Sequence, residues 1–443
     1  MLRRCLVLGL LCLSTPLAVS QTNPSKAKVL KAGRLLDVRT GNYLAGQAVL
    51  IEEGKIKELG PVAQVQAHAP KDATVIDLRE ATLLPGLIDP HAHLLVAVKP
   101  EGQPLLAAVA GMSATRRALL GARLAREDLE AGFTTARVVG HSGIDGDAAL
   151  RDAINEGWVP GPRILASCRK LTPPGGQALA LNPAVAQQVL EQEFLEVGSA
   201  DEARKAVRQN IYYGADFIKV VADADGRFIT PDEMKAIVEE AHRSNIKVTV
   251  HATTRTGIQA AIDARVDSIE HGDDVTDEQL KSMREAGIFL DVTEAFSGGR
   301  LRALLGKSTV LSPEDEQLLE GYEKEEAQKG PARLQRILRF GVKYAAGSDM
   351  WFDYPGKTRG QATAIMFGAL RDLGMQPIDV LRATTSAAAE MIGWQDRVGA
   401  IEPGKFADII ATSGDPLQDI TELERVRFVM KNGIVVRNDW HAK

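Results

Sequence analysis

Cysteine is scarce in this chain, with only 3 among 443 residues, and two of them, Cys5 and Cys12, lie close to the N-terminus. Cys168 is the only cysteine further along. One cysteine cannot form an internal disulfide, so the stability of the fold must come from its hydrophobic core. A hydrophobic content of 45% is ample for one large domain with a small one, or for about two or three medium domains.

An excess of positive charge is also absent. The formal net charge is −5, and no block of lysine and arginine stands out. Nucleic acids and anionic membrane surfaces attract basic proteins, so the composition supports neither as a partner.

The apolar run near the N-terminus, Leu6–Leu13, is far shorter than the roughly 20 residues that span a bilayer. Arg3 and Arg4 precede it, and Ala18-Val19-Ser20 offers a cleavage site of small residues. We therefore expect residues 1–20 to be a signal peptide, cleaved near Ser20. The mature protein would then be periplasmic or secreted, with no attachment to a membrane.

Short strands are predicted near both ends of the remaining chain, within residues 21–84 and 397–443. Turn signals stand at Glu53-Gly54 and at Lys431-Asn432-Gly433. The predicted strands are Val29–Asp37, Gln47–Glu52, Lys55–Leu59, Thr74–Leu78, Thr82–Leu84, Ala407–Ala411, Val426–Met430 and Ile434–Arg437. Two such segments can pair into one small sheet domain.

Between them, over residues 85–396, short apolar runs alternate with longer amphipathic segments, which is typical of βα units around a parallel sheet. Capping boxes mark helix starts at Ser199 with Glu202, Thr230 with Glu233 and Thr276 with Gln279. The apolar runs are Gly86–Leu94, Phe133–Val139, Arg163–Ser167, Phe217–Val221, Lys247–His251, Ser268–His271, Ile288–Val292 and Val342–Gly347. Eight strands with helices between them predict a (β/α)8 barrel.

Polar residues stand at the ends of these strands, where the active site of such a barrel lies. His91 and His93 are two residues apart at the end of the first strand, so both imidazoles can reach one point. The other members of the set are His141 after the second strand, Lys219 in the fourth, His251 and His271 ending the fifth and sixth, and Asp349 after the eighth.

Each of these residues has an ordinary explanation when taken alone. A histidine at a strand end is more often a hydrogen-bonded polar residue than a ligand, His141 could be an exposed loop residue, and Asp349 could cap a helix. Lys219 is harder to explain, because an ammonium ion is costly inside an apolar barrel. A buried lysine tends to be neutral and can bind carbon dioxide as a carbamate. Convergence of the whole set on one face favours a metal site.

These residues resemble the amidohydrolase superfamily of metal-dependent hydrolases, in Pro85-Gly86-Leu87-Ile88-Asp89-x-His91-x-His93, Lys219, His251, His271 and Ser348-Asp349. The resemblance covers essentially the whole chain after the signal peptide and implies a β-sandwich made by its two ends. Gly140-His141-Ser142-Gly143 and Gly272 look like the imidazolonepropionase-related group. That group includes prolidase-like (Xaa-Pro) and Xaa-Arg/Lys dipeptidases, and amidases that hydrolyse ochratoxin A.

The resemblance implies two divalent metal ions, most often zinc, with manganese or cobalt able to use the same ligands. His91, His93 and Asp349 would hold one ion, His251 and His271 the other, and an N6-carboxylated Lys219 would bridge them. The sequence departs from the family pattern at none of these six positions.

Such a pair of cations makes hydroxide available near neutral pH and polarises the scissile carbonyl. Asp349 would act as the base that carries a proton to the leaving nitrogen, and His141 would donate to the carbonyl oxygen. The substrate is expected to contact the loops Lys170–Gly198, Asp291–Leu311 and Met350–Gly360. Arg227, Lys357 and Arg359 are candidates for binding a substrate carboxylate, although surface cations are more often only solvated.

The sequence therefore predicts an exported, metal-dependent amide hydrolase of the carboxypeptidase or dipeptidase kind, which cuts before a C-terminal residue and whose substrates could include ochratoxin A. A hydrolase of cyclic amides or lactones is the alternative within enzymes. A metal-free scaffold protein is the alternative of another class, although scaffold relatives lack ligands that this chain retains. The expected partner is a small amide or peptide, and the resemblance implies a homo-oligomer.

Overall fold

The computed structural model describes residues 27–78, 80–98, 105–177, 182–294, 313–354 and 356–440. The expected signal peptide lies outside these residues, as does most of the predicted loop Asp291–Leu311. Across the described ranges, none of the helices has both the length and the apolar character needed to cross a membrane.

The two ends of the chain form a β-sandwich, as the sequence resemblance implied. One sheet contains, in spatial order, Lys55–Pro61, Gln47–Glu52, Lys28–Lys31 and Thr74–Asp77. The other contains, in spatial order, Ile434–Asn438, Phe428–Lys431, Ile409–Thr412, Thr82–Pro85, Arg34–Asp37 and Asn42–Ala45. The second sheet joins three strands from each end, because Thr82–Pro85 pairs antiparallel with Ile409–Thr412.

The sandwich is held by apolar side chains that alternate inward from both sheets. Leu30, Val49, Leu83, Ile409 and Phe428 are fully buried in one cluster between them. This burial requires the register seen here, because a shift by one residue would turn every inward side chain toward solvent.

The prediction of a single strand over Val29–Asp37 was wrong, because the structure has two strands there. Lys28–Lys31 pairs with Gln47–Glu52 in one sheet, whereas Arg34–Asp37 pairs with Asn42–Ala45 in the other. The chain crosses between the sheets at positions 32–33, which a continuous apolar pattern cannot reveal. The helix Val62–His68 that follows the second hairpin was not predicted.

The middle of the chain forms the predicted (β/α)8 barrel. Its strands are Leu87–Ala92, Phe133–Val138, Arg163–Ala166, Phe217–Val221, Lys247–Ala252, Ser268–His271, Phe289–Val292 and Tyr344–Ala346. The first three form one parallel sheet and the other five belong to a second. Asp216 N donates to Ala166 O at 2.7 Å, and a parallel bridge joins Ala92 to Met350. These two contacts link the sheets at both edges, so strand order follows chain order.

Helices connect and cover the strands. They are Leu105–Ala110, Ala114–Glu130, Gly146–Asn155, Pro183–Glu193, Ala200–Tyr212, Pro231–Arg243, Arg255–Ala264, Asp277–Ala286, Pro313–Phe340, Arg359–Thr363, Met366–Asp372, Pro377–Ala383 and Ser386–Met391, with a 3-10 turn at Ile420–Arg425. The capping boxes at Thr230 and Thr276 form completely. At Ser199 only one of the two hydrogen bonds of the capping box forms, in which the Ser199 side chain accepts from Glu202 N. The Glu202 carboxylate accepts from Gly198 N instead of Ser199 N.

Gly86 marks the passage from the sandwich to the barrel, between the strands Thr82–Pro85 and Leu87–Ala92. A Cβ at this position would lie 2.2 Å from Thr134 Oγ1, so only glycine fits. Arg163 on the third barrel strand pairs with Asp408 at 3.1 Å and lies 3.8 Å from the centre of the Phe406 ring. The sandwich is therefore bonded to the barrel and orients the start of the first strand.

Candidate active site

Four histidines meet at the carboxyl ends of the barrel strands. His91 and His93 come from the first strand, His251 from the fifth and His271 from the sixth. The ring centres are 5.5 Å apart for His91 and His93, 5.1 Å for His91 and His271, and 4.5 Å for His251 and His271. The barrel thus brings side chains that are up to 180 positions apart in the sequence into one cluster.

Asp349 completes this cluster from the segment after the eighth strand. Its Oδ1 lies 3.1 Å from His93 Nε2 and 3.4 Å from His91 Nε2. Asp349 N donates to His91 O at 2.9 Å, and Asp349 has a φ of 47°, which is uncommon for a residue other than glycine. One ligand atom each from His91, His271 and Asp349 lies within 4.8 Å of the others, close enough to hold a metal ion.

In three of these histidines, the ring nitrogen Nδ1 is within hydrogen-bond distance of a residue outside the cluster. His91 Nδ1 is 2.6 Å from Glu270 Oε2, His93 Nδ1 is 3.0 Å from Gly140 O, and His271 Nδ1 is 2.7 Å from Thr293 Oγ1. The carboxylate and the carbonyl can only accept, so His91 and His93 carry a proton on Nδ1, and their Nε2 atoms, which face Asp349, have a lone pair for a metal ion.

Burial keeps the imidazoles in the neutral form that binds metals. It lowers the pKa of His93 to about 4 and that of His271 to about 3. Burial, assisted by the charge of His271, also holds the pKa of His251 well below its ordinary value. Near neutral pH these three rings are therefore available as ligands.

Lys219 lies in the middle of the fourth strand with its side chain turned into the same cavity. The residue is 2% exposed, and its Nζ has no hydrogen-bond partner within the described part of the chain. Burial lowers the pKa of Lys219 to about 8. A buried amine without a partner is costly, and a carboxylated lysine that binds a metal would remove that cost. The donor set therefore fits a metal centre built from imidazole, carboxylate and carbamate.

A buried polar network behind His91 was missed in the sequence. Glu270 accepts from His91, from Thr249 and, at 2.7 Å, from Arg137 Nη2, which is also 3.3 Å from Asp291 Oδ2. Burial would raise the pKa of Glu270, but the charges of Arg137 and Lys219 outweigh it and hold that pKa well below its usual range. The signal was present, because Glu270 and Asp291 are acidic residues inside predicted barrel strands, where side chains are buried.

A second missed residue, Lys170, lies beside His141. Its Nζ is 2.8 Å from His141 Nε2 and donates to Gln177 Oε1. Burial lowers the pKa of Lys170 to about 7. Burial and the charge of Lys170 together hold the pKa of His141 well below its ordinary value. His141 lies next to the cluster, with its ring centre 5.2 Å from that of His93, so it is not an exposed loop residue.

All seven predicted site residues line one cavity of about 700 Å³, together with Lys170 and Gln177. The rest of the lining is apolar and includes Leu105, Val139, Val185, Val189 and Trp351. Lys170–Gly198 and Met350–Gly360 both contribute to the lining. The first segment is not an irregular loop, since it contains the strand Lys170–Thr172, the helix Pro183–Glu193 and the strand Phe194–Glu196.

None of the three cations suggested for a substrate carboxylate lines this cavity. Arg359 is 4% exposed and donates to the backbone oxygens of His93 and Met350 at 2.8 and 2.7 Å, so its guanidinium group stabilises the fold. Arg227 donates to Pro174 O at 3.0 Å, and Lys357 is exposed.

Comparison with known proteins gives consistent matches. The Amidohydrolase family matches residues 82–436. Ochratoxinase from Aspergillus niger is 30% identical over 453 residues, covering 94% of this chain and 88% of the relative. The crystal structure of A. niger ochratoxinase has a TM-score of 0.78 at 25% identity, covering 94% of this chain and 98% of that one.

Two further relatives point to other activities. Imidazolonepropionase from Symbiobacterium thermophilum is 28% identical over 406 residues, covering 84% of each chain. The crystal structure of a Xaa-Pro dipeptidase with bound methionine in the active site has a TM-score of 0.78 at 28% identity, and covers 93% of this chain and 100% of that one.

Proposed function

The chain belongs to the amidohydrolase family and is a hydrolase, and on that premise we propose that it is a metal-dependent amide hydrolase of the carboxypeptidase or dipeptidase kind. It would cut the amide bond before a C-terminal residue in a peptide or N-acyl amino acid. The observation that carries this proposal is the unpartnered amine of Lys219, buried in one cavity with four histidines and Asp349.

The proposed metal centre contains two divalent ions, most often zinc in this family. One ion would be held by His91, His93 and Asp349, and the other by His251 and His271. Carboxylated Lys219 would be a ligand of both ions. When bound, such ions lower the pKa of water and polarise a carbonyl. The support for this assignment is the set of outer hydrogen bonds that leaves Nε2 of His91 and His93 free, together with the neutral state of the buried rings.

Asp349 is proposed as the residue that moves the proton. Burial alone would raise its pKa, but the adjacent His91 and His93 outweigh burial and hold the pKa of Asp349 below its ordinary value. An ionised Asp349 can accept the proton of the attacking water and deliver it to the leaving nitrogen, which must be protonated before the amide bond breaks.

His141 is proposed as the donor to the carbonyl oxygen, which becomes negative when the tetrahedral intermediate forms. In the structure, His141 Nε2 is engaged by Lys170 at 2.8 Å. The proposed role therefore requires that Nε2 carries the proton and that Lys170 turns to another acceptor when the substrate binds.

The apolar wall supports a substrate with an aromatic or aliphatic acyl group or side chain. The relative named ochratoxinase makes ochratoxin A a specific candidate, and the Xaa-Pro dipeptidase makes dipeptides another. We also propose that residues 1–20 direct export and that the protein is a homo-oligomer. N-terminal sequencing of the mature protein and light scattering would check these two points.

The test is metal analysis of the purified protein together with a screen of dipeptides, N-acyl amino acids, ochratoxin A, cyclic amides and lactones, with a chelated control. We expect about two metal ions per chain and amide hydrolysis that chelation abolishes and added zinc restores. Protein without metal, or activity that survives chelation, would contradict the metal centre. Hydrolysis confined to cyclic amides or lactones would favour the alternative substrate class.

A further inference from the structure

We propose that Lys170 binds the free carboxylate of the leaving amino acid, so that the enzyme selects N-acyl amino acids over otherwise identical amides that lack this charge. The inference rests on the proposed function and names the residue that recognises the substrate's anion. None of the cations considered from the sequence reaches the cavity, whereas Lys170 lines it.

The position of Lys170 suits this role. The strand Lys170–Thr172 pairs with the fourth barrel strand through Leu171 and Val220, which places Lys170 next to the strand that carries Lys219. The imidazole of His141 lies between its ammonium group and His93. In an N-acyl amino acid the carboxylate carbon is only about 2.5 Å from the scissile nitrogen, because two bonds separate them. A carboxylate so close to the reacting bond requires a cation beside the cluster rather than at the rim.

The surroundings of Lys170 are shaped to hold its side chain. A Cβ at Gly140 would lie 2.6 Å from Lys170 Cγ and 2.7 Å from Cδ, so the aliphatic stem occupies space that only glycine leaves free. Its Nζ lies 5.2 Å from the centre of the Phe194 ring, at a distance where an aromatic face stabilises a cation. A Cβ at Gly176 would in turn lie 2.6 Å from Phe194 Cδ2.

Because burial lowers the pKa of Lys170 to about 7, the amine is only partly protonated near neutral pH, and a bound anion would favour the ammonium form. In that form its charge has no anionic partner within the described part of the chain. Its two hydrogen-bond partners, His141 and Gln177, are both neutral. The nearby carboxylate of Glu193 is paired with Arg117. An ammonium group has three N–H donors, so one remains for a ligand in the cavity. Because the walls are apolar, a bound carboxylate would be attracted more strongly than in water.

This arrangement also links Lys170 to the proposed role of His141. A carboxylate that takes the Lys170 ammonium away from His141 would end the hydrogen bond that Nε2 accepts from it. The ring would then be able to change tautomer, with its proton moving from Nδ1 to Nε2, and to donate from Nε2 to the carbonyl oxygen. Binding of the correct anion would then complete the catalytic arrangement, whereas a substrate without the carboxylate would leave His141 engaged.

The experiment compares two substrates that differ only in the carboxylate, N-benzoyl-L-phenylalanine and N-benzoyl-2-phenylethylamine, with the metal-loaded enzyme. In Lys170→Met we expect kcat/KM for the acid to fall about 10- to 100-fold, as for loss of a charge-assisted hydrogen bond. For N-benzoyl-2-phenylethylamine we expect no loss of kcat/KM, because this amide lacks the carboxylate that Lys170 binds and the variant no longer engages His141. Lys170→Gln serves as a second neutral variant, and Lys170→Arg should retain part of the preference for the acid.

The matched control is Lys235→Met, the same substitution at an exposed position on the helix Pro231–Arg243, and it should leave both rates unchanged. Equal losses for the two substrates in Lys170→Met would mean that Lys170 only positions His141, and would overturn the proposal. Unchanged rates for both substrates in Lys170→Met, or loss of metal from that variant, would also overturn the proposal.

A binding measurement separates this inference from the proposed function. Calorimetry with 3-phenylpropanoate and with uncharged 2-phenylethanol does not depend on turnover. We expect Lys170→Met to weaken binding of the anion about 10-fold or more and to leave the alcohol unchanged. Equal affinity of wild type and variant for the anion would overturn the role of Lys170. Failure of the wild type to cleave any amide would overturn the proposed function instead.

Discussion

The two halves of the cavity are built in different ways. The histidine half comes from the ends of barrel strands, and each of its anchored rings has an outer hydrogen bond, as at His91 and Glu270. The other half comes from segments inserted between strands: Lys170 on a short strand, Val189 on the helix Pro183–Glu193, and Trp351 after the eighth strand. We therefore propose that the barrel carries the reaction chemistry and that the insertions determine the choice of substrate.

The two halves of the cavity also differ in how their charged groups are paired. Behind the histidine half, buried charges are paired with one another, as Arg137 is with Glu270. The insertion half offers apolar surface and one ammonium without an acid partner among the described residues. Substitutions in the first half should thus abolish the reaction for all substrates, and those in the second should change which substrates react.

The largest effect is expected for Lys219→Met. Loss of this proposed bridging ligand should lower kcat/KM by at least about 1000-fold for every substrate, because the several kcal/mol that metal ions supply would be lost. Metal analysis should show fewer than two ions per chain. Lys170→Met, a matched change in the other half, should keep its metal. If Lys219→Met retained both metal and activity, the distinction between the halves would fail.

The next effect is expected for His141→Ala, at the border between the halves. Removal of a donor to the carbonyl oxygen should reduce kcat about 100-fold while metal content stays unchanged. Steady-state kinetics and metal analysis measure the two quantities. His242→Ala, on an outer helix where His242 pairs with Asp267, is the control and should have full activity. Full activity in His141→Ala would remove this residue from the site.

Glu270→Gln tests the network behind the histidines. We expect about a 10- to 100-fold loss of metal affinity, because Glu270 orients His91. The free energy of unfolding should also fall by about 3 kcal/mol, since Arg137 would lose the nearer of its two buried carboxylate partners. Metal titration and denaturant unfolding measure these changes, with exposed Glu239→Gln as the control. Unchanged metal affinity would show that His91 needs no outer support.

The smallest effect is expected for Trp351→Ala in the apolar wall, where Trp351 stacks on Phe352 with ring centres 4.0 Å apart. The kcat/KM for N-benzoyl-L-phenylalanine should fall about 5-fold, and that for N-acetylglycine should change little, because only the first substrate has rings to pack. Trp158→Ala is the control, since Trp158 is 75% exposed on the surface. Equal losses on both substrates would place Trp351 in the reaction rather than in recognition.

Much of the fold was predictable because its signals are local. All eight barrel strands lie within two residues of their predicted limits, since buried parallel strands are short apolar runs with polar residues at their ends. The capping boxes at Thr230 and Thr276 depend on residues three positions apart. The split of Val29–Asp37 was missed because its two parts pair in different sheets.

The site was only partly predictable. The seven residues proposed from strand ends do meet in one cavity, because a barrel gathers all its strand ends at one face. Arg359 was considered for the substrate, but the fold buries it against backbone oxygens. The proposed role of Lys170 could not be derived, because its contact with His141, 29 positions away in the sequence, exists only in the folded barrel.

The sequence by itself determined the elements and the residues able to bind metal, since apolar periodicity and the chemistry of histidine, lysine and aspartate act locally. Only the tertiary structure decided which polar groups are paired. Glu270 is neutralised by Arg137, whereas Lys219 has no partner and Lys170 has only neutral ones among the described residues. Whether a buried charge has a partner depends on contacts between distant strands, and those contacts exist only after the barrel has formed.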